Sequence, residues 1–128
     1  MSNVKSYRVS ADRFSDAEVT LQVDHDVLTQ ELATEINQFW SSAADRLDQE
    51  DGDVVRTAIR LFGSAAIHYF MADGGASFGP YANGDSHWTR AVIDEQGEGW
   101  PDCAGLGILI TSAEVPAVGY DDVTLVAA

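Results

Sequence analysis

Residues 53–72 carry two apolar stripes at helical spacing, and this constrains the fold more than any other stretch. Val55, Ile59, Phe62, Ala66 and Phe70 form one stripe, and Val54, Ala58, Leu61, Ala65 and His68 form the other. A helix with one stripe lies on a surface, whereas a helix with two is buried around most of its circumference. Arg56 and Arg60 are left for the remaining face. Asp53 is placed to cap its start, and Asp73-Gly74-Gly75 to stop it, since glycine enters the left-handed conformation without penalty. His68, on an apolar stripe, reads as a core or boundary histidine. The rest of the chain must supply the layers that cover this helix.

Those layers are legible on both sides of it. Residues 4–10 and 17–24 read as two strands, the second with Val19, Leu21 and Val23 on one face. The polar link between them suits a hairpin. A helix over residues 29–43 follows, with Thr29 as cap, Glu31 in its first turn, and Leu32, Ile36, Phe39 and Trp40 on one stripe. Residues 45–53 read as an acidic loop, and residues 76–86 as a Gly- and Asn-rich loop around Pro80. A short helix is expected over 87–95, capped by Asp85 or Ser86. Strands are expected over 106–111 and 123–126, joined through Pro116. Strands at both ends with helices between them predict an α+β fold: a mostly antiparallel four-stranded sheet, two strands N-terminal and two C-terminal, with two to three helices on one face. At 128 residues the chain is one domain, residues 1–128, able to bury a core without staples.

Charge is the second constraint. Seven basic residues against 21 acidic give a net charge of −14. The first 13 residues carry +2 and the remainder −16. The acids form no single tail, which is the usual form of a disordered acidic segment. Instead they cluster within folded regions: Asp45, Asp48, Glu50, Asp51 and Asp53 in one group, Asp94, Glu95, Glu98 and Asp102 in another, and Asp121 with Asp122 in a third. This balance argues against direct binding of nucleic acid or of an anionic membrane. No apolar run is long enough to span a bilayer and no signal-peptide pattern opens the chain, so a cytoplasmic location is expected. Three explanations of the acidity compete: solubility, adaptation to high salt, and a surface that meets a basic partner. Solubility alone usually takes a net charge of only ~2–8. Duplex DNA carries one charge per ~1.7 Å of axis, so fourteen charges match roughly 24 Å of duplex. A compact chain of this length is about 35 Å across. The amount of charge is enough to imitate a short stretch of DNA.

Catalytic and metal-binding patterns are weak by comparison. Asp24-His25-Asp26 resembles a metal triplet, but on a strand Asp24 and Asp26 point one way and His25 the other. With Gly52 at the sixth position of a calcium loop, Leu47 falls at the first, where an acid is required. His68 and His87 lack a partner at metal-ligand spacing, and no Gly-x-Ser-x-Gly elbow is present. Cys103, the one cysteine, has acidic neighbours that raise a thiol pKa, and it can form no internal disulfide. No cofactor, metal or catalytic residue is expected.

Residues 28–40 (LTQELATEINQFW), 52–56 (GDVVR), 98–101 (EGWP) and 105–108 (GLGI) carry a resemblance. In these segments the chain resembles a small bacterial family of unknown function that recurs on prophages and other mobile elements, and the likeness runs from about residue 4 to 126. It implies genomic company, not chemistry, and transfers no catalytic or binding residue. By size and charge, such proteins resemble phage-borne inhibitors of host defence.

The leading expectation is therefore a non-enzymatic acidic binding protein of a phage or mobile element. It would be a DNA mimic occupying the basic groove of a host nucleic-acid-binding effector, of anti-restriction or anti-CRISPR type. The expected partner-binding residues are Asp45, Asp48, Glu50, Asp51, Asp53, Asp94, Glu95, Glu98 and Asp102. Their carboxylates would stand in for phosphates. The alternatives are a metal-dependent carboxylate enzyme using His68 or His87, or a structural accessory whose acidity serves only solubility or salt tolerance. Such an accessory could be a homodimer through Trp88 and Trp100.

Overall fold

The computed structural model describes residues 3–11, 16–81, 86–116 and 120–128, apart from the side chain of Asp122. Arg13, and Asp85 as the expected helix cap, lie outside them. The elements run β1 (Val4–Ala11), β2 (Ala17–Asp24), α1 (Gln30–Phe39), α2 (Ala43–Gln49), α3 (Val54–Ala72), β3 (Ala76–Phe78), α4 (Ser86–Gln96), α5 (Cys103–Leu106) and β4 (Ile108–Val115), with a 3-10 turn at Tyr120–Asp122. The four strands form one antiparallel sheet in the order β1-β2-β4-β3. The expected α+β architecture is present, with more helices than the two or three expected.

Strand β2 shows how the sheet chooses its faces. Ala17, Val19, Leu21 and Val23 are fully buried, and the alternate residues Glu18, Thr20, Gln22 and Asp24 are only half-buried. The buried row packs on α3, which crosses β1, β2 and β4. Phe62 and Phe70 of α3 are buried in this core together with Ile36 of α1, Val92 of α4 and Ile108 and Ile110 of β4. Both stripes of α3 contribute buried residues, as its sequence requires. Its start is held by Asp53, whose Oδ1 accepts from the Arg56 amide at 3.1 Å. Close approach to β1 is made at Gly63, where an added Cβ would lie 2.4 Å from a methyl of Val9.

Strand β4 is interrupted by a bulge. Leu21 pairs with Ile110 and Thr20 with Ser112, so Thr111 is an extra residue in the ladder. Its hydroxyl donates to the Thr20 carbonyl at 3.2 Å, and its carbonyl accepts from the Tyr81 amide at 3.0 Å. Beyond the bulge the inward positions become Ala113 and Val115, in place of the even-numbered ones before it.

Several local expectations are corrected. The fourth strand is Ala76–Phe78 and not residues 123–126. Phe78 stacks on Trp88 (centroids 5.3 Å apart, planes at 14°) and meets Phe70 edge-on, so tertiary aromatic packing holds a strand where Gly and Pro suggested a loop. Residues 123–128 have no regular structure, and Leu125 is 98% exposed. β-branched residues favour a strand, but a strand also needs a neighbour to pair with. The third strand of the sequence reading starts at Ile108, because Gly107 turns left-handed (φ +78°) after α5, and it runs on to Val115. Helix α1 stops at Phe39, short of the expected residue 43, and residues 45–49, read as part of a loop, belong to α2. His68 is exposed: at i, i+4 spacing it continues the line of Arg56, Arg60 and Ser64. Phe39, expected on the core stripe of α1, is 52% exposed.

Candidate interaction surface

The first acidic group sits on α2 and the turn that joins it to α3. A seven-residue helix is too short to persist alone, and Arg46 supplies its anchor. The guanidinium donates to Asn37 Oδ1 at 2.9 Å, to the Asn37 carbonyl at 2.8 Å and to the Trp40 carbonyl at 3.2 Å, and it also contacts the Ser41 carbonyl. Buried Asn37 answers by donating to the Ala43 carbonyl at 3.1 Å. Arg46 thus satisfies carbonyls left open at the end of α1 and makes no ion pair with its neighbours Asp45 and Asp48. The turn after α2 uses two left-handed residues in succession, Asp51 (φ +55°) and Gly52 (φ +83°). It directs Glu50 inward, where the side chain is 16% exposed and accepts from Arg60 at 2.9 Å and Arg56 at 3.4 Å.

The second group sits on the last turn of α4 and the connection to α5. Thr89 pins α4 to the sheet by donating to the Ile108 carbonyl at 3.0 Å. Asp94 and Glu95 are exposed at the end of α4, and Glu98 lies between Gly97 and Gly99, both left-handed. Gly99 abuts Phe39 and Trp40, and Trp100 packs on Trp40 and Phe62. This aromatic clasp places the Glu98 turn against the residues that lead from α1 into α2. The Glu98 turn thus lies against Phe39 and Trp40, the residues that precede α2 in the chain.

The nine expected residues divide into two sets. Asp45, Asp48, Asp51, Asp94, Glu95 and Glu98 are exposed, and their carboxylates make no ion pair or hydrogen bond among the described residues. The carboxylates of the other three have partners within the chain: Glu50 with its two arginines, Asp53 as the α3 cap, and Asp102 as the α5 cap, its Oδ1 accepting from the Gly105 amide at 2.8 Å. Asp48, Asp94 and Glu95 occupy last turns of helices, where the helix dipole disfavours negative charge by about 0.3–1 kcal/mol each.

The remaining candidates are also placed. In Asp24-His25-Asp26 the three side chains go separate ways: Asp24 accepts from the Asp26 amide, Asp26 from the Asn3 amide, and His25 bonds Tyr7 at 2.8 Å. Among the described residues, no three His, Cys, Asp or Glu side chains converge as metal ligands. Burial pushes the Cys103 thiol above its usual pKa and Asp102 adds to this, while Arg90 offsets part of the rise. Trp88 of α4 is half-buried against Phe70 and Phe78, and half-buried Trp100 holds the α4–α5 connection against Phe62. Among the described residues, no helix is long and apolar enough to cross a membrane.

Sequence reasoning missed the basic residues. Arg8 of β1 and Arg56 and Arg60 of α3 line one cleft of about 300 Å3, with Glu50 between them. The i, i+4 spacing of Arg56 and Arg60 was a readable signal, but the approach of Arg8 is a product of the tertiary fold.

Comparison with known proteins supplies the context. Residues 18–125 match the family described as a protein of unknown function, DUF2528. Protein ea10 of Escherichia phage lambda is 32% identical over 131 residues, covering all of both chains. The lambda prophage-derived protein ea10 of Escherichia coli O6:H1 (strain CFT073) matches equally. No solved structure matches.

Proposed function

The chain belongs to the DUF2528 family of unknown function, whose relatives include phage and prophage-derived proteins, and we propose that it is an acidic binding protein that docks a basic partner. The docking groups are the carboxylates of α2, the α2–α3 turn and the α4–α5 connection. They stand in for nucleic-acid phosphates and are met by arginines and lysines of a host nucleic-acid-binding protein, of restriction or CRISPR type.

One observation carries this reading. Among the described residues, six carboxylates of these segments are exposed and unpaired, three of them where they weaken their own helices. Solubility is indifferent to where a charge sits, so it gives no reason to place acids against helix dipoles. The partner's cations would supply the missing counter-charge, and the clasp and Arg46 keep the carboxylates in place before contact. Pre-ordering of this kind limits the entropy lost on association.

The test is competition with duplex DNA for a purified basic effector, at low and high salt. The protein should displace the DNA at low salt and lose affinity steeply as salt rises. A triple variant Asp45→Asn, Asp48→Asn, Glu98→Gln should weaken binding while leaving the fold intact. Affinity that ignores both salt and these substitutions refutes the electrostatic reading.

A further inference from the structure

We propose that the outer edge of β1, with the arginine-lined groove beside it, is a docking surface for an extended acidic segment, and that its occupant is the C-terminal segment of a second copy of this chain. Among the described residues, strand β1 is an edge of the sheet, eight residues long and paired with β2 alone. An open edge presents unpaired backbone donors and acceptors to any extended chain. The cleft holding Arg8, Arg56 and Arg60 runs into a second, of about 440 Å3, which shares Val9, Ser10 and Arg60 with the first. Together they follow β1 along α3. Ile59, Ile67 and Met71 give this groove apolar lining.

Charge selects the occupant. Two chains of net charge −14 repel, so contact between them must be made where the local balance is positive. Lys5, Arg8, Arg56 and Arg60 are four of the seven basic residues, and all lie on β1 or the groove. The groove itself is lined by three arginines, Arg8, Arg56 and Arg60, against one acid, Glu50, which pairs with Arg56 and Arg60, while Glu18 pairs with Arg8. The segment that fits is acidic at its start and apolar and β-branched after it: Tyr120-Asp121-Asp122-Val123-Thr124-Leu125-Val126. In its own chain this segment is exposed: Tyr120 by 92%, Val123 by 56%, Leu125 by 98% and Val126 by 81%. Alternation along an added strand would turn Val123 and Leu125 to one side. Asp121 would reach the arginines. Each copy offers both an edge and a segment, so a two-fold exchange closes on itself and leaves neither unpaired.

Light scattering on the size-fractionated full chain, over a dilution series, tests this. The wild type should show the mass of two chains at high concentration and of one on dilution. Leu125→Asp, on an exposed segment that cannot unfold the core, should give one chain throughout. Arg60→Glu should do the same, and Arg60→Glu with Asp121→Arg should restore the pair. Asp45→Asn and Glu98→Gln should leave the pair unchanged, which separates this contact from docking to a basic partner. A wild type of one chain at every concentration overturns the proposal. So does a pair indifferent to Leu125→Asp and Arg60→Glu, or protection of β1 amides that does not depend on concentration, the signature of a segment docking on its own chain.

Discussion

Gly63→Ala tests whether α3 and β1 are packed as closely as described. In an exposed helix this change stabilises, by about 0.8–1.0 kcal/mol, because alanine loses less backbone entropy than glycine. At Gly63 the new Cβ would stand 2.4, 2.6 and 2.8 Å from Cγ2, Cβ and Cγ1 of Val9. Carbon atoms pack at ~3.5–4.0 Å, so β1 must retreat from the helix by roughly 1 Å. Val9 lies opposite Val19 in the ladder, so it cannot retreat without straining the pairing. Overpacking costs typically 1–3 kcal/mol. Set against the propensity gain, the net loss is about 1 kcal/mol, and the melting temperature should fall by roughly 4 °C. Urea unfolding of the wild type, Gly63→Ala, Val9→Gly and the double variant isolates the contact. Val9→Gly removes all three clashing atoms, so in that background Gly63→Ala should stabilise. The coupling between the two sites should be about 1–3 kcal/mol. A Gly63→Ala variant more stable than wild type, with coupling below ~0.5 kcal/mol, would refute the close approach.

Other outcomes follow from the same geometry. Neutralising Asp48, Asp94 and Glu95 together should raise stability by about 1–3 kcal/mol at low salt, since each opposes a helix dipole. The same triple variant should weaken partner binding, and a calorimetric scan with a competition assay reads both. Thr29→Ala should cost ~1 kcal/mol through loss of the cap to the Leu32 amide, measured by denaturant midpoint. Because the folded Cys103 thiol holds its proton above the ordinary range, its alkylation rate should rise only at pH above ~8.5. The linked stability should be full below that pH and fall as pH rises, because the unfolded thiol ionises first; Cys103→Ser should flatten this slope.

The sequence was readable where local pattern and tertiary demand agree. α1 and α3 obey a 3.6-residue period and carry side-chain caps at Thr29 and Asp53, so their placement needed no knowledge of partners. The β1–β2 hairpin was equally plain from the alternation of Val19, Leu21 and Val23. Strand β3 was not readable, because three residues beside Gly79-Pro80 become a strand only when Phe78 meets Trp88 and Phe70. Helix α2 was missed for a related reason: its anchor, Arg46, acts on carbonyls of another helix. At the acidic surface, residue type located the segments. It could not tell Asp45 from Glu50, one exposed and one turned inward onto arginines.

The extra residue in β4 has a consequence for how that strand can vary. Ile108 and Ile110 are in phase with each other, as are Ala113 and Val115, but the two pairs are out of step by one position. Only Thr111, stepping out of the ladder, lets both pairs face α3 and its neighbours. Deleting Thr111 would therefore keep every apolar side chain of β4 on its present side and turn a broken pattern into a strict one. Adding a residue elsewhere in the strand would drive either the isoleucines or Ala113 and Val115 into water. The strand tolerates a change in length at one place because its odd count is already concentrated there.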